Sequence, residues 1–316
     1  MGISRRKQFS AVDYDASAIP WNRSIVITAL DYPQPRFDLL ALDLDGTLLR
    51  SDKKLAVYDA VAVKEAVRRG VKVVLTTARP PRSSRIIHRK LGLDTPLINY
   101  NGAVIYDVEL DRSTFHQPLC AETAKAVIDL ARSIEPSVVV SIEVLDKWYT
   151  DHDDPAFKTE TARRFKPDYI GPLNLPLSLP ITKLMFLFHA EQLAPVRQAI
   201  VEVFDDRAAF PQSDSTIIQV VHPEVDKAAA LAVVAAGYGI EPDRACAMGD
   251  APNDAGMLHW AGLGCAVANA FGEARDMADI ILDQTSDERA VGLAIERYVL
   301  GDDPVARAVD KFEAGV

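Results

Sequence analysis

The stretch FDLLALDLDGT, residues 37–47, decides the fold, because it joins an apolar run to a pair of acidic residues. Residues 37–43 are short, nearly continuously apolar and without helical spacing, which is typical of a buried parallel strand. Asp43 and Asp45 come at its carboxyl end, two residues apart, so their side chains face the same cleft. Gly46 lets the chain turn away without a side chain in its path. Because two close carboxylates repel each other, the pair indicates a metal ion, an acid/base couple, or both.

The segments on either side of this stretch predict a parallel α/β sheet. Residues 59–69 predict a helix with Ala60, Val63 and Val67 on one face, and residues 71–76 predict a second buried strand. Strand, helix and strand at this spacing are typical of a βαβ unit. The same rhythm returns near the end of the chain, with helices at 228–236, 254–260 and 288–300 and strands at 245–248, 264–268 and 280–282.

The middle of the chain has a different order of elements. An amphipathic helix is predicted at 121–134, with strands at 138–144, 183–189 and 216–221. These features predict a doubly wound α/β core that carries an inserted α+β domain. The predicted units are an N-terminal extension at 1–37, a discontinuous core at 38–110 and 222–303, and an α+β insert at 111–221.

Composition and charge narrow the class of protein. The 316 residues suffice for two domains of ordinary size. A formal net charge of −10 disfavours nucleic acid as a partner but allows a small phosphorylated molecule in a cleft. Three cysteines without close spacing favour a reducing, cytoplasmic setting. No apolar run approaches the ~20 residues of a membrane helix, so no membrane partner is expected; the oligomeric state stays open.

Three further segments carry chemistry at predicted strand ends or helix starts. Thr77 and Ala78 follow the second strand, where a hydroxyl and free amides can hold phosphate oxygens. Lys227 stands at the start of a helix, and both the ammonium and the helix terminus favour an anion. Residues 249–254, GDAPND, offer carboxylates that suit Mg²⁺. Because ligands bind outside the carboxyl ends of strands in open α/β sheets, these segments predict a single site.

Together the segments resemble the haloacid dehalogenase-like (HAD) hydrolase superfamily, and within it the Cof-like type IIB phosphatases. Four motifs match in the expected order: residues 43–47 as D-x-D-G-T, Thr77 as the phosphate-binding hydroxyl, Lys227 as the motif lysine, and residues 249–258 as G-D-x-x-N-D-x-x-M-L. Residues 99–105 and 267–270 are similar to two smaller family segments. The resemblance covers the chain from about residue 38 to about residue 300.

The resemblance implies a phosphatase that works through a covalent aspartyl-phosphate. Asp43 would attack phosphorus, and Asp45 would protonate the leaving alkoxide and then deprotonate water. Mg²⁺ would be bound by Asp43, by the carbonyl oxygen of Asp45 and by Asp250, with Asp254 supporting this set. The substrate would be a small phosphorylated metabolite, such as a sugar phosphate, a nucleotide or a cofactor phosphate.

The resemblance also assigns the groups that would hold the phosphate. Lys227 and Thr77 would clamp the phosphoryl oxygens, with help from the backbone of Leu44 and Ala78, and Asn253 would add a contact. The inserted domain would be a cap that closes over the site and selects the leaving group. Ala78 stands where the family commonly has glycine, which restricts the backbone but removes no catalytic group.

Two other functions stay open at this point, as do the roles of several residues. The same Asp43 could serve a phosphomutase, and the scaffold could bind a phosphorylated ligand without catalysis. Arg79 is expected to be solvated or ion-paired, with contact to a substrate as the alternative. Residues 151–154 are expected to form a polar loop, with a metal cluster as the alternative, and His222 to be structural. Trp148 is expected to pack in the insert, with stacking on a substrate as the alternative.

Overall fold

The computed structural model describes residues 34–154, 160–188, 190–211 and 217–301. Most of the predicted N-terminal extension and the ends of two predicted strands, residues 189 and 216, lie outside the described residues. The described chain forms one sheet of eight strands and one of five. The predicted α/β fold class is confirmed.

The strands of the larger sheet are β1 (Leu39–Asp43), β2 (Lys72–Thr76), β3 (Leu97–Asn99), β4 (Val104–Asp107), β5 (Arg112–His116), β11 (Ala245–Gly249), β12 (Leu263–Ala266) and β13 (Ile280–Ile281). Those of the smaller sheet are β6 (Val139–Val144), β7 (Lys147–Thr150), β8 (Tyr169–Ile170), β9 (Lys183–Leu187) and β10 (Ile217–Val220). The helices are α1 (Val57–Arg68), α2 (Pro81–Leu91), α3 (Ala121–Ile134), α4 (Glu160–Arg164), α5 (Ala190–Phe204), α6 (Lys227–Tyr238), α7 (Ala255–Trp260), α8 (Gly272–Met277) and α9 (Ala290–Ala294). No helix in these described segments is both long and apolar enough to cross a membrane.

The larger sheet is doubly wound. Its strand order is β13-β12-β11-β1-β2-β3-β4-β5, parallel up to β3 and antiparallel in the last two strands. Alternate residues of β1 point to opposite faces: Leu40 and Leu42 pack in a core with α1, α2 and α9, while Leu39 and Ala41 pack with α6, α7 and α8. The helices therefore cover both faces, and the ends of the central strands are left for ligands.

The buried face of α1 differs from the prediction. The face of α1 that is buried centres on Asp59, Ala62, Val63 and Ala66, whereas Ala60 and Val67 are only partly buried. The Asp59 carboxylate accepts a hydrogen bond of 2.8 Å from the Gly292 amide, which holds this face against the last helix.

The predicted closing helix is broken. Residues 288–300 were expected to be one helix, but a 3-10 turn at Ser286–Glu288 precedes α9, and a π-helical turn at Ile295–Val299 follows it. Arg289 takes a left-handed conformation, with φ of 69°, at the break. The Glu288 carboxylate turns back to bond the Thr285 amide and hydroxyl, which favours a separate turn before the helix.

The pairing of β5 bears on where the insert begins. The sequence prediction begins the insert at residue 111, but β5 pairs with β4 and so belongs to the larger sheet. The turn between them is held by the Asp107 side chain, which accepts hydrogen bonds from the amides of Glu109 and Leu110. We propose that the chain passes between the two units at residues 117–120, and that it returns near residue 221.

The smaller sheet has a covered face and an open face. Its order is β10-β9-β6-β7-β8, and Val140, Ile142, Leu184 and Phe186 pack against α3 and α5 on one side. The residues between them in the sequence point the other way. That second face turns toward the strand ends of the larger sheet, where it forms one wall of a pocket.

Candidate active site

Three predicted segments meet at one edge of the larger sheet. β1 lies between β11 and β2, so the ends of these parallel strands are adjacent. Asp43 ends β1, Thr77 follows β2, and Asp250 follows β11. The strand order brings these residues together although they are far apart in sequence.

Lys227 lies between two carboxylates in the interior. Its ammonium donates to Asp43 Oδ1 at 2.6 Å and to Asp254 Oδ1 at 2.5 Å, and its side chain has no exposed surface. The preceding residue, Asp226, caps α6 by accepting hydrogen bonds from the amides of Ala228 and Ala229. This cap begins the helix at Lys227 and so fixes where the ammonium enters the site.

Asp254 organises the loop that follows β11. Its Oδ2 accepts hydrogen bonds of 3.0 Å from the amides of Asp250 and Ala251, while its Oδ1 binds Lys227. A side chain at Gly249 would place its Cβ 2.5 Å from the Cβ of Asp254, so this close approach needs glycine. With both oxygens in use, Asp254 suits the supporting role that the sequence predicts.

Asp250 faces the turn that follows β1. Its Oδ1 accepts a hydrogen bond of 2.9 Å from the Thr47 hydroxyl. Gly46 has φ of +91°, and a Cβ there would lie 2.3 Å from Asp250 Oδ2. The turn therefore needs glycine both for its conformation and for the space that the carboxylate occupies.

Asp43, Asp250 and Asp254 form an acidic cluster with the donor set of a metal site. One oxygen from each lies within 4.8 Å of the others. It is the only such group of three acidic, histidine or cysteine side chains in the part of the chain that the structure describes. Carboxylate oxygens are the ligands that suit Mg²⁺.

The electrostatics of this cluster indicate a deficit of positive charge. Burial, Asp254 and Asp250 raise the pKa of Asp43 well above its usual value, against the effect of Lys227. Burial and Asp254 raise the pKa of Asp250 to about 7. Burial would lower the pKa of Lys227, but Asp254 and Asp43 outweigh it and raise the pKa. Three carboxylates around one ammonium leave a charge that a divalent cation would offset, so the residues fit the predicted metal.

Asp45 is held on the other side of the site by two cations. Arg79 donates two hydrogen bonds of 2.5 Å to its carboxylate, and Lys53 lies 3.0 Å away. Burial would raise the pKa of Asp45, but the hydrogen bonds and charges of Arg79 and Lys53 outweigh it and lower the pKa. Arg79 is thus ion-paired, and it also lines the pocket described next.

The predicted phosphate-binding residues surround the same space. Thr77, Ala78 and Asn253 line a pocket together with Asp43 and Asp45. The Thr77 hydroxyl accepts a hydrogen bond of 3.1 Å from the Arg79 amide, which orients it at the end of β2. Leu44 is fully buried, so only its backbone can serve a ligand.

Residues 100–102 belong to a segment that resembles one of the smaller family segments. They hold the side chain of Asn253 in place. Tyr100 and Asn101 both have left-handed backbone conformations, with φ of 53° and 61°. The Asn101 side-chain oxygen accepts a hydrogen bond of 2.8 Å from the side-chain Nδ2 of Asn253. Gly102 packs so closely that a Cβ would lie 2.4 Å from the Asp226 carbonyl oxygen. The segment thus joins the loop after β11 to the start of α6.

The pocket also has a wall that sequence reasoning missed. The pocket is a cavity of about 170 Å³ between the two sheets. Its wall on the smaller sheet consists of Glu143, Trp148, Lys183, Met185, Ile217 and Gln219. Of these only Trp148 was considered from the sequence. A signal was present, because Glu143 and Lys183 are the only charged residues of their mainly apolar strands, β6 and β9.

Buried charges join the two sheets beside this pocket. Arg82 of α2 makes two hydrogen bonds to the Glu143 carboxylate, of 2.6 and 2.9 Å. The Tyr100 hydroxyl donates to Glu143 Oε2 at 3.1 Å. Burial would lower the pKa of Arg82, but the charge and hydrogen bonds of Glu143 raise it. We call Arg82, Glu143 and Tyr100 the junction triad.

Residues 151–154 and His222 do not line the pocket, whereas Trp148 does. Asp151 accepts hydrogen bonds from the Val140 and His152 amides, as expected of a polar loop. His222 Nδ1 accepts from the Glu224 amide, which is a structural contact. Trp148 is buried and donates to the Ser141 hydroxyl, yet it also lines the pocket, so packing and ligand contact are combined.

Comparison with known proteins gives the family. The family model described as haloacid dehalogenase-like hydrolase matches residues 40–295. A phosphatase of 5-amino-6-(5-phospho-D-ribitylamino)uracil from Bacillus subtilis is 28% identical over 269 residues, covering 82% of this chain and 97% of the relative. An HMP-PP phosphatase from Cronobacter sakazakii is 30% identical over 232 residues, covering 73% and 84%.

A solved structure agrees in sequence and in fold. A crystal structure from Thermotoga maritima aligns with a TM-score of 0.70 at 27% identity, over 83% of this chain and 97% of that one. The range that the family model matches contains Asp43, Thr77, Lys227 and Asp250, the residues that the four motifs contribute to the site. The chain belongs to the haloacid dehalogenase-like hydrolases, as the sequence motifs predicted.

Proposed function

We propose that the protein hydrolyses the phosphate esters of small metabolites, with Asp43 as the nucleophile. The observation that carries this proposal is the position of Asp43, which is buried at a strand end and lines the pocket. Lys227 holds its Oδ1, and no hydrogen bond to its Oδ2 exists among the described residues. Relatives named as phosphatases of small phosphorylated molecules support the same class of reaction.

In the first step, Asp43 attacks phosphorus and the bond to the leaving alkoxide breaks. The product of this step is an aspartyl-phosphate, and Asp45 delivers a proton to the departing oxygen. Arg79 and Lys53 hold Asp45 before substrate arrives. The negative charge of the phosphoryl group competes with Asp45 for these two cations. This removes the contacts that lower the pKa of Asp45, so that Asp45 can take up from water the proton that it then donates.

In the second step, Asp45 takes a proton from a water that attacks the same phosphorus atom. The bond from phosphorus to the Asp43 oxygen breaks, which releases phosphate and restores the carboxylate. Lys227 stays beside Asp43 in both steps and offsets charge on the transferred group. Thr77 and Asn253 line the pocket where they can bind phosphoryl oxygens.

We propose Mg²⁺ as the cofactor, held by Asp43, Asp250 and the carbonyl oxygen of Asp45. When bound, it supplies positive charge that offsets the repulsion between carboxylate and phosphate. Thr47 orients Asp250 for this role through its hydroxyl. Asp254 is left as a supporting residue, because its oxygens already bind Lys227 and two amides.

Magnesium is expected to stabilise the folded protein in a way that depends on Asp250. At a concentration 100 times its Kd, the cation should raise Tm by roughly 5 °C. Asp250→Asn should lose most of this shift, whereas Asp276→Asn, on the exposed side of α8, should retain it. Differential scanning calorimetry with and without Mg²⁺ measures both. An undiminished shift in Asp250→Asn would remove Asp250 from the metal site.

Analysis of the products separates the proposal from its two alternatives. A phosphatase releases inorganic phosphate from 4-nitrophenyl phosphate and from members of a phosphorylated metabolite panel. A phosphomutase would instead make an isomer of a sugar phosphate, and a binding protein would do neither. Release of phosphate that requires both Mg²⁺ and Asp43 supports hydrolysis, and inactivity across the whole panel would overturn it.

A further inference from the structure

Lys183 occupies the wall of the pocket that faces the site from the smaller sheet. It begins β9, in which residues alternate between two faces. Leu184 and Phe186 pack on the covered side with α3 and α5, while Lys183 and Met185 line the pocket. Lys183 is only 5% exposed, so its ammonium lies inside the cavity wall and away from bulk water.

The charge of Lys183 has little compensation. Three other cations line the pocket: Lys53 and Arg79 pair with Asp45, and Arg82 pairs with Glu143. Within the described segments, Lys183 has no carboxylate within 4.0 Å, and its one hydrogen bond is to the Ala78 carbonyl oxygen at 3.5 Å.

The Glu143 carboxylate, opposite Lys183 in the sheet, already has other hydrogen-bond partners. Glu143 is the register partner of Lys183 across β6 and β9. Its two oxygens accept hydrogen bonds from Arg82 and from Tyr100 instead. An ammonium has three donors, and a buried donor without a partner is costly. Lys183 therefore retains donors for a molecule that enters the pocket.

We propose that Lys183 determines specificity by binding an oxygen of full or partial negative charge on the leaving group of the substrate. The inference rests on the proposed phosphatase function. The phosphoryl group itself is served by Lys227 and Thr77 at the strand ends of the larger sheet, whereas Lys183 belongs to the opposite wall. A carboxylate or a carbonyl oxygen on the leaving group would accept a hydrogen bond from the Lys183 ammonium.

Because Lys183 can lose its charge, binding of a substrate through it should depend on pH. Burial lowers the pKa of Lys183 to about 8, with Glu143 opposing this effect and Arg82 adding to it. The charged groups that face it are Glu143 on β6 and Arg82 on α2, with the Tyr100 ring 5.2 Å from the ammonium and Asp45 and Arg79 lining the same pocket. Because the ammonium is charged below its pKa, binding through it should weaken as pH rises above about 8.

Two substrates that each differ from glycerol 3-phosphate at one carbon test the inference. In 3-phosphoglycerate a terminal hydroxymethyl group is replaced by a carboxylate, in dihydroxyacetone phosphate the central CHOH group is replaced by a carbonyl, and glycerol 3-phosphate itself has hydroxyls only. We expect the wild type to favour at least one of the first two over glycerol 3-phosphate by about 10- to 100-fold in kcat/KM, the range of one hydrogen bond to a charged group. The favoured substrate identifies whether a full charge or a carbonyl is bound.

Two variants of Lys183 and one control complete the experiment. Lys183→Met should reduce the preference to near unity, chiefly through KM, and Lys183→Arg should retain it. The wild-type preference should decline above pH 8, and that of Lys183→Arg should not, because arginine does not titrate there. Lys147→Met removes an exposed lysine of the same sheet, paired with Asp168, and should behave as wild type.

The inference is overturned if the wild type shows no preference, if Lys183→Met retains it, or if Lys183→Met loses the same factor on all three substrates. Turnover of 4-nitrophenyl phosphate, with Asp43→Asn as its negative control, is measured in parallel. Absence of that turnover in the wild type would contradict the proposed function itself. The two failures are therefore distinguishable.

Discussion

Replacing Asp43 with asparagine is expected to lower kcat by at least ~10²-fold, since both covalent steps need the carboxylate. The amide has nearly the same shape but cannot attack phosphorus effectively. The change also removes one of three mutually repelling carboxylates, whose effect is visible in the raised pKa of Asp43. The folded state should therefore persist. Release of phosphate from 4-nitrophenyl phosphate in the presence of Mg²⁺ measures the loss.

A matched control separates this effect from a general change of charge. Asp52 is an exposed carboxylate of the same polypeptide segment, paired with Lys54. Asp52→Asn should retain wild-type kcat. Trapping of the phosphorylated enzyme with hydroxylamine should label residue 43 in the wild type and give no label in Asp43→Asn. Near-normal turnover in Asp43→Asn would end the assignment of the nucleophile.

Replacing Lys227 with methionine should damage both stability and activity. The change leaves Asp43 and Asp254 in the interior without the ammonium that binds them. Removal of one partner from a buried ion pair typically costs about 3–5 kcal/mol of unfolding free energy. Because Lys227 also offsets charge on the transferred phosphoryl group, kcat should fall by roughly 10²-fold or more. Urea denaturation and steady-state kinetics measure the two effects.

Lys72 provides the comparison for the stability effect. Its ammonium lies 2.9 Å from the Asp94 carboxylate, but 52% of the Asp94 side chain is exposed. Lys72→Met should cost less than ~1 kcal/mol, as is usual for surface pairs. The double variant Lys227→Met/Asp254→Asn should recover part of the lost stability but none of the activity. Equal losses in Lys72→Met and Lys227→Met would show that burial does not set the strength of the pair.

The parts of the site that lie on the larger sheet could be predicted from the sequence. Asp43 ends a strand of recognisable composition, Thr77 and Asp250 each follow one, and parallel strand ends meet at one edge by topology. Asp43, Thr77 and Asp250 could therefore be grouped by their positions in the chain. The predicted α3 at 121–134 coincides with the observed helix, because its apolar face is continuous and regularly spaced.

The pocket wall on the smaller sheet could not be predicted in the same way. Whether Lys183 and Glu143 face the site depends on the pairing of β6 with β9 and on which face of the sheet α3 and α5 cover. The local sequence determines neither the strand pairing nor the covered face. A shift of one residue in register would move every side chain of a strand to the opposite face of the sheet. The ion pair of Arg79 with Asp45 also depends on distances between loops, which a sequence motif does not contain.

The junction triad has a consequence for how the pocket exchanges its contents. Among the described residues, Arg82 is the only cation within 4.0 Å of the Glu143 carboxylate, so separation of the two would leave a buried carboxylate without its cation. This buried pair therefore ties the two walls of the pocket to each other beside the catalytic residues. Any opening of the pocket that breaks the pair of Arg82 and Glu143 would carry the cost of an unpaired buried charge, about 3–5 kcal/mol.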